Sequence, residues 1–196
     1  MFFTGDSPLP TPPAPIPTSS HFLKFILIYT VMNFHLLKVL EIKHLDKNNK
    51  IKFVKNNINN LLHKTGEEYI LKVLFGGESI PNEYYLGLDS RSVISRIDTL
   101  NTVSTNEPSL NGYSRQSISN SSFSFSVNSE DNYQANSPVV LFRATGGSWG
   151  SVKNLFLATS LTNNGYLISS VPLGANLIVA NGETVSMRIG LALGTN

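Results

Sequence analysis

Residues 146–150 read Gly-Gly-Ser-Trp-Gly, a match to G-x-S-x-G, the pattern that holds a nucleophilic serine on a sharp strand-to-helix turn in acyl-transfer enzymes. That chemistry needs a base to take the Ser148 proton, a helix after the turn and, in that fold, a histidine later in the chain than the serine. All four histidines (His21, His35, His44 and His63) precede Ser148. The residues that follow, Ser151-Val152-Lys153-Asn154-Leu155-Phe156-Leu157, read as a strand. A pattern this short recurs by chance, so no catalytic residue is assigned. The stretch makes better sense as a corner. Gly146, Gly147 and Gly150 admit positive φ where one strand passes to the next, and Trp149, the sole tryptophan, covers the end of a core. The competing reading leaves Trp149 exposed as a stacking platform for a sugar.

Metal and cofactor chemistry finds no better purchase. The chain has no cysteine, which excludes disulfides and thiolate zinc sites. No two histidines stand at i, i+2 or i, i+4, and no glycine loop for phosphate appears. Glu67-Glu68 suits a helix N-terminus. Glu130-Asp131, with Asn128 and Asn132, lacks the glycine and spaced acids of a calcium loop and reads as a solvated turn. Asp89-Ser90-Arg91 reads as turn chemistry after a strand. Asn120-Ser121-Ser122 is a glycosylation sequon, meaningful only in a secreted eukaryotic protein. Catalytic, cofactor and metal sites are therefore expected to be absent.

The elements that carry these residues follow from period and punctuation. Leu36–Lys43 and Ile51–Val54 flank the turn cluster Asp46-Lys47-Asn48-Asn49-Lys50, which predicts a β-hairpin. Thr65 with Glu68 three residues on has the form of a capping box, and Gly76-Gly77 is a stop, so a short helix is expected over 65–75. From Glu83 the chain becomes a series of short β-rich runs separated by Asn, Gly, Ser and Pro. They include YYLGL, GYSRQSIS, FSFSV, PVVLFRAT, VKNLFLAT, GYLISSVPL and TVSMRIGLAL. This spacing predicts an antiparallel β-sandwich or barrel. In the last run Val185, Met187, Ile189, Leu191 and Leu193 alternate with Ser186, Arg188, Gly190, Ala192 and Gly194. One face is buried, and the glycines of the other suggest a close neighbouring backbone. Phe123, Phe125 and Val127 alternate with serines, as in an exposed edge hairpin. No solenoid-length repeat is visible.

Composition narrows the class further. Charged residues make up 14% of the 196, well below the ~25% usual in soluble domains, and Ser, Thr and Asn fill the gap. Net charge is +2. Residues 32–75 carry eight lysines against four acids, but no aromatics alternate with them, so nucleic acid is not an expected partner. Six of the ten prolines lie in the first twenty residues, which predicts an extended leader. The apolar HFLKFILIYTVM that follows is too short for a membrane span. The folded pattern starts just after Met32, which suggests that Met32 is the natural start. The expected organisation is a leader over 1–31, a hairpin–helix segment over 32–80, and a β-sandwich domain over 81–196.

Five spaced motifs carry a resemblance. They are Tyr85-Leu86-Gly87-Leu88, Gly112-Tyr113-Ser114-Arg115, Gly147-Ser148-Trp149-Gly150-Ser151-Val152, Gly165-Tyr166-Leu167 and Gly182-Glu183-Thr184-Val185. Over about 84–194 the chain resembles a family of small virion proteins of tailed bacteriophages, described as minor structural, tail-fibre-like proteins. The resemblance implies a mainly β, jelly-roll-like antiparallel sandwich, preceded by the hairpin and helix. Gly147, Trp149, Gly150, Tyr113, Gly165 and Gly182 would serve as turn and core residues. It implies a non-enzymatic protein of the tail, tail fibre or baseplate. Such a protein is made in the bacterial cytoplasm and acts by self-assembly, a trimer by analogy, and by docking to other virion proteins. The alternatives are a capsid decoration protein and a carbohydrate-binding host-adhesion module. The latter would use an exposed aromatic beside loop amides, for which Tyr113, Tyr133 and Tyr166 are the candidates.

Overall fold

A computed structural model describes residues 37–192; the expectations for residues 1–31 and for Met32 lie outside them. The described residues begin with the expected hairpin, β1 (Leu37–Leu45) and β2 (Ile51–Asn59). Asp46 closes the turn by accepting the backbone N–H groups of Asn48 and Lys50 on its side chain, an Asx turn of the kind that makes Asp a turn former. A two-residue strand, β3 (Leu61–Leu62), leads to helix α1 (Lys64–Phe75). There follow β4 (Glu83–Asp89), the one-turn helix α2 (Leu100–Ser104), β5 (Gln116–Ser119), β6 (Ser124–Val127), β7 (Tyr133–Asn136) and β8 (Val140–Arg143). The last three strands are β9 (Ser151–Ala158), β10 (Leu167–Ile178) and β11 (Thr184–Ala192).

Two antiparallel sheets result, and the fold is the expected β-sandwich. One runs β2-β1-β11-β7-β6, with β8 paired to β11 beyond β7; the other runs β3-β10-β9-β4-β5. Strand β1 lies in register on β11, Leu37 opposite Leu191 and Leu45 opposite Thr184. The hairpin is thus built into the same sheet as the last strand. Between the sheets sit Val39 and Ile42 of β1, Val185, Met187 and Ile189 of β11, and facing them Leu86, Leu88, Leu155, Leu157, Val171 and Leu173. Each is buried, worth roughly 1.5–3 kcal/mol of apolar transfer. The alternation read in β11 holds over Val185–Ile189, while Leu193 and Gly194 lie outside the described residues. Its outward Gly190, however, faces side chains, since a Cβ there would meet Gln134 and Leu40.

The apolar run of β9 has its own cause. Leu155 and Leu157 face the core, while Phe156 faces the other way into a second cluster with Leu100 and Val103 of α2 and with Leu167. A strand buried on both faces loses its alternation. Helix α2 was not read from the sequence. Its cap is a reciprocal pair, Thr99 Oγ1 accepting from Thr102 N and Thr102 Oγ1 from Thr99 N.

Helix α1 starts one residue earlier than expected, and the capping box is not formed. His63 is the N-cap and makes no side-chain cap bond. Thr65 lies inside the first turn and donates its hydroxyl to the Leu167 carbonyl at 2.7 Å, while Glu68 pairs with Lys72 at 2.7 Å one turn on. A tertiary acceptor on β10 outcompetes the local one. The helix stops as expected, with Gly76 N and Glu78 N both donating to Lys72 O.

Candidate functional site

The G-x-S-x-G stretch forms the corner between β8 and β9. Gly146 and Gly150 take φ of +83° and +77°, which L side chains adopt rarely. Gly147 is demanded by space instead, because a Cβ there would lie 2.7 Å from the Asn111 side chain. Ser148 donates its hydroxyl to Val179 O at 3.0 Å and accepts from Gly150 N at 3.1 Å. A strand follows it, and no hydrogen bond joins it to a histidine among the described residues. Trp149 is half-buried. Its indole N–H donates to Asn111 O at 2.9 Å, and its ring meets Tyr113 edge-on, 5.6 Å between centroids. Tyr113 in turn stacks on Phe142 of β8.

Tyr113 leads to a buried network that the sequence did not disclose. Its hydroxyl accepts from Leu88 N at 2.8 Å and donates to Glu107 at 2.7 Å. Burial, then the Glu107 charge, push its ionisation well above the usual phenol range. Arg115, two residues on, forms an ion pair with the same carboxylate at 2.5 Å. It also donates to the carbonyls of Ser160, Leu161 and Thr162 and to Asn163 Oδ1. The Gly112–Arg115 motif therefore pins the loop between β9 and β10. Within that loop Gly165 lies against Ser160, where a Cβ would come within 2.5 Å of Cβ. The only hint in the sequence was Tyr and Arg spaced by two, on one side of an extended chain.

A third network closes the turn before β11. Gly182 takes φ +83°. Glu183 accepts from His44 and Lys52 side chains, at 2.8 and 2.7 Å, and from Ala180 N at 2.9 Å. Burial works to raise its pKa, but the Lys52, Ala180 and His44 bonds outweigh it and bring it down to about 2. His44, which lies in the hairpin–helix segment expected to stand apart from the sandwich, is thus 3% exposed inside it. His63 is also buried there, 0% exposed.

The three candidate sugar-contacting tyrosines do not converge. Tyr113 belongs to the corner. Tyr166 packs on Tyr69 of α1 and accepts from Lys72 at 3.2 Å. Tyr133 stands 78% exposed on β7, opposite Val127 of β6.

Around Tyr133 lies an exposed apolar surface. Strand β6 is the end of its sheet, and all four of its residues are exposed. Phe125 is 74% exposed and Val127 53%. The strand is short, four residues, but it carries neither of two other devices that blunt natural edges, a charge or a proline. Beside it a groove of about 290 Å³ opens, walled by Tyr69, Tyr84, Phe123, Phe125, Ile168 and Leu191. The Tyr69 and Tyr84 hydroxyls bond each other at 3.1 Å across it. A second exposed apolar stretch, Leu71, Leu74 and Phe75, lies on the outer side of α1.

Among the described residues no group of three or more His, Cys, Asp or Glu side chains could hold a metal, and no helix is long and apolar enough to cross a membrane. A family model described as podophage GP4 fiber I protein gp80 matches residues 62–193. No curated protein and no solved structure matches the chain. The matched span runs from β3 to the end of the sandwich and contains all five motifs of the resemblance.

Proposed function

The chain belongs to the podophage GP4 fiber I protein gp80 family, and from that premise we propose that it is a non-enzymatic structural component of a phage fibre that assembles through its β6 edge with further copies of itself. It is made in the host cytoplasm, docks to other virion proteins, and forms a closed ring of copies, a trimer by analogy. The observation that carries the assembly reading is Phe125, exposed on an uncharged, unpaired edge directly beside an apolar groove. Projecting side chain and recess lie on the same edge. A head-to-tail contact, the Phe125–Val127 edge of one copy against the groove of the next, gives a ring when the rotation between successive copies closes, and the proposed assembly is that closed form. Exposed apolar surface of this kind marks interaction sites, and an open strand offers its backbone groups as a template for another chain.

The test is sedimentation equilibrium of the protein and of Phe125→Lys. The wild type is expected as a discrete oligomer and the variant as a folded monomer. A monomeric wild type, or a variant that keeps the same mass, refutes assembly through this edge.

A further inference from the structure

We propose that the pocket between β3, β10 and the loop after β4 binds one neutral sugar ring, independently of the assembly surface. The pocket has a topological origin. Strand β3 covers β10 only at Ser169 and Ser170, after which the edge of β10 is uncovered. The next residues of that edge begin with Val171 and Pro172, and Pro172 has no N–H to offer a pairing strand. The gap is therefore suited to a ligand and not to strand addition. It encloses about 310 Å³, the lower end of the range for small-molecule sites.

Its polar wall is prepared. Asn154 is 3% exposed. Its Nδ2 donates to Asp89 Oδ1 at 3.2 Å and to the Arg91 carbonyl at 2.6 Å. Both partners are acceptors, which fixes the amide orientation and leaves Oδ1 without a hydrogen bond on a residue that lines the pocket. Asp89, itself 0% exposed, is held by Arg91 at 2.9 Å, so the support behind Asn154 is rigid. Ser170 also lines the pocket, and its hydroxyl lies 2.9 Å from His63 Nε2. Burial holds His63 neutral down to about pH 4, against the opposing pull of the Arg96 carbonyl and Asp98. With the ring proton on Nδ1, which faces the Arg96 carbonyl without meeting hydrogen-bond geometry, the Ser170 hydroxyl donates to Nε2 and presents lone pairs to the pocket.

Two acceptors select the ligand. Both ask for hydroxyl donors. The cations nearby, Lys153 on Ser92 at 3.1 Å and Arg91, disfavour an ammonium. Asn59 and Asn60 stand at the rim, the Asn60 amide donating to Ser169 Oγ at 2.9 Å, and Leu61, Val93, Ile94 and Pro172 supply an aliphatic wall. Hydroxyl donors on an apolar-faced ring are what a pyranose offers. Tyr113, Tyr133 and Tyr166 take no part.

The experiment is a titration of isotope-labelled protein with glucose, galactose and N-acetylglucosamine, with inorganic phosphate as the anionic comparison. The side-chain amide resonances of Asn59, Asn60 and Asn154 are followed. At least one sugar is expected to give saturable shifts in the millimolar range, phosphate none, and Ser170→Ala at least a tenfold weaker response. The wild-type titration stands alone if Ser170→Ala fails to fold. No saturable shift with any of the three sugars, equal shifts with phosphate, or an unchanged response in a folded Ser170→Ala protein overturns the proposal.

Discussion

Replacing Trp149 by alanine tests whether the β8–β9 corner is scaffold. A fully buried tryptophan costs about 3–5 kcal/mol to remove. Trp149 is half-buried, so the transfer and cavity share falls to roughly half of that. To this add the indole bond to Asn111 O, about 1 kcal/mol, and the edge-on contact with Tyr113, about 0.5–1.5 kcal/mol. The expected loss is about 3–5 kcal/mol, which lowers the melting midpoint of a chain this size by about 6–20 °C. The assay is a reversible thermal scan by circular dichroism. The loss must also reach beyond the site, because Tyr113 then loses the ring that holds it over Phe142. An unchanged midpoint would refute the reasoning and recast Trp149 as an exposed platform, whose loss would abolish ligand binding and leave stability intact.

Arg115→Met strips the Glu107 carboxylate of its buried partner, and a broken buried pair costs about 3–5 kcal/mol; limited proteolysis is expected to cut first between Thr159 and Tyr166, and an uncut loop would contradict the role given to Arg115. Acid stability separates two buried groups. The folded pKa of His63, about 4, lies below its unfolded 6.5, so the unfolded chain binds the proton first and stability is lost as pH falls from 6.5 through 4. The shift corresponds to about 3 kcal/mol at most. His63→Gln is expected to flatten that limb in pH-dependent urea melts, and an unchanged slope would remove His63 from the account. Glu183 contributes stability above its unfolded 4.5 that disappears as pH falls through about 2, so its limb lies lower and persists in the His63 variant.

The strands were legible because alternation and turn chemistry are local. Val185, Met187 and Ile189 announce a half-buried strand without help from any partner, and Asp46 announces its own turn. What stayed hidden depends on distant partners. Thr65 and Glu68 have the letters of a capping box, but the Thr65 hydroxyl is taken by Leu167 O, 102 residues away. Helix α2 is five residues long and exists because Leu100 and Val103 find Phe156 behind β9. Glu107 shows no pattern at all until Tyr113 and Arg115 converge on it. The segment over 32–80, with His44 in it, reads as separate from the sandwich because the sequence does not say that β1 joins β11. The assembly surface was half legible: the serine-spaced Phe123, Phe125 and Val127 marked an exposed edge, but the groove beside it needs α1, β4 and β10 brought together.

The central claim, that this chain is built into a phage fibre, is tested most directly on the particle. Antibody raised against residues 37–192 and coupled to gold is applied to intact virions under negative stain. Gold is expected on the fibres, at equivalent positions around the tail axis. Gold confined to the capsid surface, or virions that contain the polypeptide by immunoblot while no fibre is labelled, would contradict it.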